Sequence, residues 1–431
     1  MCVKKILISS LLGIVAWFPL AAQNEGAHQM GLDDVSRLVE RNREVIIETL
    51  NHEIDANRLR QSKSERLPEL LGTADGYLSQ KMPLKHDSRS GHLWRYHVNL
   101  YSEFDLYAGG KFLNQIKRIR TEEEISQERL RNMEQEVNLK GYVLLYDIYR
   151  NIKYKDFIRS SIHLREKEYQ RINEFFENGL VLKSDLLRSK LYITDLQKQE
   201  IEIQNSINIL SDQLCTLLGM DESHVIEPLL MADLKYQLGE TFDELFEHAL
   251  EHSPYLRIHH KKIDRESLVL KETKAVQRPN LKLYAQYGIG SPLPYYSYDH
   301  QIGGEIGFKL SFRLSSLYKN RAKCRAQALR ITQAEQVLTR EEEALKNRLF
   351  ELYTRYEESL LNIDRALQKI DMSKESMRIL RNSYFNQQAL LIDVLESETQ
   401  SMQASFEWVE AVVDSQKYYW ALKQICGYFK S

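Results

Sequence analysis

The chain is poor in residues that break helices. Its 431 residues include only 18 glycines and eight prolines, about half the usual share, so tight turns must be few. The prolines stand at 19, 68, 83, 228, 254, 279, 292 and 294, leaving 84–227 and 295–431 proline-free and able to carry unbroken helices. Glycine is absent from Lys319 to Cys426. Cysteine is scarce too: Cys2, Cys215, Cys324 and Cys426 are too widely spaced for a disulfide framework or a zinc pattern, and buried free thiols are expected after residue 2. Beyond the N-terminal stretch no apolar run reaches the ~18 residues of a membrane-spanning helix. With 43% hydrophobic and 28% charged residues the chain is neither disordered nor collagen-like and can bury a sizeable core.

Residues 1–22 carry Lys4 and Lys5, an apolar run from Ile6 to Leu20, and the small-residue junction Leu20-Ala21-Ala22-Gln23. This reads as a cleaved secretory signal, because the run is short and Pro19 closes it. No cysteine follows it to take a lipid, and the mature chain is expected outside the cytoplasm. Without Lys4 and Lys5, 57 basic residues face 61 acidic ones, a balance that argues against nucleic acid.

The two halves match at a shift near 210. Arg66-Leu67-Pro68-Glu69-Leu70 falls on Val276 to Leu281 around Pro279, and Leu145-Tyr146-Asp147-Ile148-Tyr149 on Leu352-Tyr353-Thr354-Arg355-Tyr356. Asn178 to Leu187 falls on Asn386 to Leu395, and Gln213-Leu214-Cys215 on Gln424-Ile425-Cys426. Such order marks an internal repeat. The division predicted is 23–219 for repeat 1, with a strand pair at about 68–106, a linker at 220–240, and 241–431 for repeat 2, with a strand pair at about 280–313. Each repeat reads helix, strand, strand, long helix, turn, helix. Ile203, Ile207, Leu210, Leu214 and Leu217 step by four and three, as do Met402, Phe406, Val409 and Val413, and such steps form coiled-coil seams. The helix from about Lys111 to Glu177 would be close to 100 Å long at about 1.5 Å per residue. It needs equally long neighbours, and turns at 178–184 and 386–390 fold each long helix into a hairpin.

Trp94, Tyr96, Val98, Leu100, Phe104 and Leu106 alternate with Arg95, His97, Asn99, Glu103 and Asp105. Ile302, Ile306, Phe308, Leu310 and Phe312 alternate with Gln301, Glu305, Lys309, Ser311 and Arg313 in the second half. Leu281, Leu283, Ala285 and Ile289 do so with Lys282, Tyr284 and Gln286, whereas the strand after Pro68 alternates less clearly. Period two over about 9–11 residues suits a transmembrane β-strand, and the lipid-facing set is expected to include Trp94, Tyr96, Val98, Leu100, Ile306, Phe308 and Leu310. A half-buried sheet on a soluble core gives the same alternation. Four strands cannot close a barrel, and lipid forbids open edges, so sister chains would have to complete it. Two chains give eight strands, whose interior side chains fill, so a conducting pore favours three.

This layout resembles the TolC-like outer-membrane efflux channels over nearly all of the mature chain. Phe104-Asp105-Leu106-Tyr107-Ala108-Gly109-Gly110-Lys111 is similar to the family's strand-to-helix junction, and the turns ending in Ser184-Asp185-Leu186-Leu187 and Ile392-Asp393-Val394-Leu395-Glu396 to its periplasmic tips. The resemblance implies a mainly α protein with transmembrane β-strands, a homotrimer forming a 12-stranded β-barrel and a 12-helix α-barrel. It implies a passive outer-membrane duct with a periplasmic tunnel, working with a periplasmic adaptor and an inner-membrane pump of RND or ABC type, without cofactor or metal. Asp393 and Glu396 would line the closed aperture, though both also stand at a helix start that favours acids. Asp185 and Tyr384 match positions that tie the tips together, but Ala389 occupies the family's tip arginine position, so that link is absent. Gly179, Ser184, Leu186, Leu187, Ala389 and Leu390 would meet the adaptor. The rival reading is a periplasmic coiled-coil spacer or adaptor.

No catalytic constellation emerges. His248-Ala249-Leu250-Glu251-His252 fits the H-x-x-E-H zinc-peptidase pattern, but its histidines fall on Arg37 and Arg41 of repeat 1, so a surface helix is expected. His259-His260 point different ways. Tyr295, Tyr296 and Tyr298 with Pro292 and Pro294 suggest an interfacial aromatic loop. Glu122 to Glu124 and Glu341 to Glu343 read as solvated faces.

Overall fold

The computed structural model describes residues 28–80, 92–220, 224–229, 238–290 and 301–428. The expected signal 1–22, the tyrosine loop around 295–298 and the side chain of Trp94 lie outside the described residues. In chain order the elements are β1 (His28–Met30), α1 (Leu32–Leu38), a 3-10 turn (Val39–Arg41), α2 (Arg43–Ser64), β2 (Glu69–Gln80), β3 (His92–Ala108), α3 (Lys111–Glu177) and α4 (Lys183–Leu217). There follow β4 (Ile226–Pro228), α5 (Phe242–His252), α6 (Pro254–Ala275), β5 (Asn280–Gly290), β6 (Gln301–Ser311), α7 (Ser316–Lys319), α8 (Arg321–Phe385) and α9 (Leu391–Ile425). The order α2-β2-β3-α3-α4 thus recurs as α6-β5-β6-α8-α9, with the short α7 ahead of α8.

Helices α3 and α8 have 67 and 65 residues, about 100 Å each at ~1.5 Å per residue. Shorter helices stack end to end beside them. Along its first half α3 meets α2, and α6 through Arg118–Glu272 at 2.9 Å; along its second half it meets α4 through Arg159–Glu200 at 2.5 Å and α9 through Lys417–Asp147 at 2.6 Å. Helix α8 likewise meets α6, then α9. The helices therefore lie in the order α2-α3-α6-α8, and below it α4-α3-α9-α8. The strands run in the matching order β2-β3-β5-β6, all antiparallel. One margin of the chain is β2, α2 and α4; the other is β6 and α8.

The joints between stacked helices repeat. Asn42 caps α2, accepting from the amides of Glu44 at 2.8 Å and Val45 at 3.3 Å, and its side-chain amide donates to the Leu217 carbonyl at the end of α4, 2.7 Å away. Gly219, at φ +63°, packs on the Arg41 carbonyl, and Gly427, at φ +77°, on the His252 carbonyl; a Cβ would lie 2.6 and 2.7 Å from those oxygens. Val35 of α1 and Leu245 of α5, 210 positions apart, are both fully buried against the midpoints of α3 and α8. The stretch expected as a linker supplies β4, which pairs in parallel with β1. Cys215 and Cys426 are buried free thiols, whereas Cys324 is half-exposed.

Candidate functional site

Strand pairing sorts the sheet into two faces. Val98, Leu100 and Phe104 stand opposite Ile289, Tyr287 and Leu283, which in turn face Ile302, Gly304 and Phe308. This face is apolar and exposed: Ile306, Phe308 and Leu310 are 75, 71 and 70% accessible. Tyr96 is half-buried on the same face. The other face carries His97, Asn99, Tyr101, Glu103, Asp105, Lys282, Gln286, Glu305 and Lys309 in register. There the Lys282 ammonium pairs with Glu103 and lies 3.9 Å from Asp105, while the Tyr101 hydroxyl donates to Glu103 at 3.0 Å.

Two departures from simple alternation have local causes. A bulge between Asp105 and Tyr107 brings Tyr107, and not Leu106, opposite Leu281, so Leu106 leaves the row in which strict alternation places it. In β2 the apolar face carries Gly72, Ala74 and Gly76, opposite Leu100, Val98 and Tyr96. Small residues there, with Leu71 and Tyr77 on the polar face, hide the period. At the lower rim Gly109, at φ +65°, lies so close to the Ala275 carbonyl that a Cβ would be 2.6 Å from it. Arg278 donates to the Gly109 carbonyl at 3.0 Å, fixing the turn from strand into α3.

At the far end, about 100 Å along the helices, both hairpin turns have one geometry. Gly179, at φ +76°, donates to Phe176 at 2.9 Å, and Leu180 to Phe175 at 2.8 Å. Gln387, at φ +61°, donates to Tyr384 at 2.9 Å, and Gln388 to Ser383 at 2.8 Å. These are Schellman closures, 208 positions apart. Leu186 joins a tip core of Ile172, Tyr384, Leu391, Val394 and Leu395. Leu187 and Leu390 are exposed, as is Ser184; Ala389 is half-buried. Asp393 and Glu396 are exposed on the first turns of α9, and Asp393 accepts the Leu390 amide at 3.3 Å. Burial, with the Asp185 carboxylate nearby, pushes the Tyr384 phenol up to about 12. The Tyr384 hydroxyl is buried and has no hydrogen-bond partner among the described residues, so its link to Asp185 is proximity alone.

Other sequence expectations resolve differently. His248 Nδ1 lies 3.0 Å from the Cys426 carbonyl at the end of α9, and its ring stacks between His252 and Tyr428. Burial and the His252 charge hold its pKa below the ordinary value. Glu122 to Glu124 are half-buried and partnered: Glu124 binds Lys261 at 2.7 Å and Glu122 binds Arg118 at 2.9 Å. Glu341 accepts from the Tyr255 hydroxyl at 2.5 Å. The partners of Glu124 and Glu341 sit on α6, far from them in sequence, which is why a local reading puts both in solvent, whereas Glu122 pairs within α3. Three buried charges, Arg165, Glu168 and Glu398, and the half-buried Arg381 escaped that reading altogether. Glu398 stands in the apolar row Leu391, Leu395, Met402, and a charge inside a seam is the signal that marks it. Among the described residues no group of three or more His, Cys, Asp or Glu side chains is placed to hold a metal ion, and no helix is long and apolar enough to cross a membrane.

No family model and no curated protein matches the sequence. Solved structures do match. The outer-membrane channel OprN aligns at TM-score 0.79 with 14% identity over 92% of this chain and 89% of its own. The outer membrane protein VceC of Vibrio cholerae gives TM-score 0.77 and 14% identity over 92 and 96%. The outer membrane channel MtrE of Neisseria gonorrhoeae, solved in its open state, gives 0.69 and 17% over 92 and 88%. The likeness covers 92% of the chain, which has the fold of the TolC-like outer-membrane channels.

Proposed function

We propose that the protein is the outer-membrane exit duct of a tripartite efflux or secretion system, a passive conduit for small molecules or peptides. The observation that carries this is the four-stranded sheet, apolar and exposed on one face, polar on the other, and open at β2 and β6. Lipid tolerates the apolar face but not the open edges. Sister chains remove them, and three chains give twelve strands around a lumen lined by the polar face. The helical margins support the same closure: Ile46, Leu50 and Ile54 on α2, and Phe350, Leu361 and Met372 on α8, form exposed apolar rows on the sides a neighbour would cover. Both rows would otherwise face water at a cost of ~1.5–3 kcal/mol per large side chain.

In this reading residues 23–219 and 241–431 are the two repeats and 1–22 the signal. Val98, Leu100, Ile306, Phe308 and Leu310 face lipid. The exposed tip leucines Leu187 and Leu390, with Gly179, Ser184 and Ala389, meet a periplasmic adaptor that joins the duct to an inner-membrane pump. Asp393, Glu396, Asp185 and Tyr384 border the lower aperture. A water-soluble spacer has no use for the exposed apolar face of β6. The test is extraction from membranes: the duct must fractionate with outer membranes, require detergent, and migrate as a heat-resistant trimer that conducts ions in planar bilayers. A monomer released by salt alone refutes it.

A further inference from the structure

Arg165, Glu168 and Glu398 are buried in the half of the bundle that leads to the tips, and Arg381, its side chain 27% exposed, completes the set. Arg165 and Glu168 stand one turn apart on α3, Arg381 on α8 and Glu398 on α9. Arg165 is 1% exposed and Glu398 3%. Arg165 Nη1 donates to Glu168 at 2.6 Å, its other terminal nitrogen pairs with Glu398, and Arg381 Nε pairs with the second Glu168 oxygen at 2.6 Å. The Arg165 guanidinium also lies over the Tyr192 ring, 5.5 Å from its centre, and the Tyr192 hydroxyl is 3.1 Å from Thr399 Oγ1. The four charges cancel, and both ion pairs of the set that leave α3 reach the other hairpin. Ile158, Ile162 and Leu196 pack on one side of this layer, and Ile172, Leu391 and Leu395 on the other. It is an ionic layer between two apolar ones, open to solvent only at its Arg381 side.

Such a network is a poor source of net stability, because desolvation offsets the attraction, and an apolar layer of equal volume would hold the hairpins at least as firmly. What it adds is an asymmetry. While the set is complete, leaving one of its buried charges alone is strongly unfavourable. Once water enters, each group recovers its hydration, whereas parted apolar side chains recover nothing. Among the described residues the tips hold no comparable tie, since Ala389 is neutral and the Tyr384 hydroxyl has no hydrogen-bond partner there.

We propose that Arg165, Glu168, Arg381 and Glu398 form a buried ionic latch, which holds the α8–α9 hairpin on the α3–α4 hairpin in the closed conduit and releases by hydration when the tips are drawn apart. The latch rests on the duct reading, since only a conduit has an aperture to hold shut. Single-channel conductance of the purified, full-length protein in planar bilayers tests it. Glu168→Gln and Glu398→Gln each leave an arginine uncompensated and are expected to raise conductance about threefold or more. Arg381→Lys keeps the charge and is expected to stay at the wild-type level. The apolar set Arg165→Met, Glu168→Leu, Arg381→Met and Glu398→Leu is expected to keep the heat-resistant trimer and to open less often than wild type. Unchanged conductance in both glutamine variants overturns the latch, as does an equal rise in Arg381→Lys. Loss of the trimer in every variant also overturns it, making the network a folding determinant. A wild-type protein that forms channels in any of these cases leaves the duct reading standing; one that forms none removes both.

Discussion

Glycine 179 and glutamine 387 occupy the same place in the two tip turns, and only one of them suits it. Gln387 is the one non-glycine residue at positive φ among the described residues. A left-handed conformation costs an L side chain roughly 1–2 kcal/mol, part of which glycine gives back through the greater entropy of its unfolded chain. Gln387→Gly is therefore expected to stabilise each protomer by about 0.5–1 kcal/mol, read as a higher denaturant midpoint. Gly179→Gln should lower it by a similar amount. Equal midpoints for Gln387→Gly and wild type would show that Gln387 recovers its strain through a contact outside the turn.

At the scale of elements, the sheet gives the sharpest contrast between neighbouring positions. Ile306 and Glu305 are adjacent on β6 and face opposite ways. An arginine on the lipid side of a membrane strand costs ~2–4 kcal/mol near the midplane, while lumen positions accept charge. Ile306→Arg should thus reduce the yield of heat-resistant trimer sharply, and Glu305→Arg should leave it intact while altering ion selectivity. Equal losses would place both side chains in one environment and contradict the two-faced wall. The elements were legible in the sequence wherever the signal is local. Absent prolines, seams stepping by four and three, and strict alternation in β6 marked α3, α8, α4 and β6 with little error. The departures arise where a residue's partner is distant. Nothing near Asp105 foretells the bulge, because it depends on where β5 lies. The alternation of β2 is masked by Gly72, Ala74 and Gly76, whose place on the apolar face shows only once they are paired with Leu100, Val98 and Tyr96. The tip positions were legible by the repeat, since 179 and 387 share one backbone geometry, but the buried charges at 165 and 168 and their half-buried partner at 381 were not. In one helix Arg165 and Glu168 look like an ordinary surface pair three residues apart.

For the whole molecule, the consequence of threefold closure is that every side chain near the axis occurs three times. Asp393 and Glu396 are exposed one turn apart at the start of α9, and in a trimer they would present two stacked rings of carboxylates. Rings of like charge at a constriction attract counter-ions and repel co-ions far more than the same charges scattered on an open surface, because the lumen confines the field. Two locations for these acids predict different outcomes. If they only complement the helix dipole, each contributes ~0.3–1 kcal/mol to its own helix end and permeant ions do not sense them. If they border the aperture, Asp393→Ala with Glu396→Ala should bring the reversal potential in an asymmetric KCl gradient close to zero, while Asp243→Ala on the distant α5 changes nothing. A reversal potential that stays at the wild-type value in the double variant, with trimer yield intact, would move both acids off the ion path.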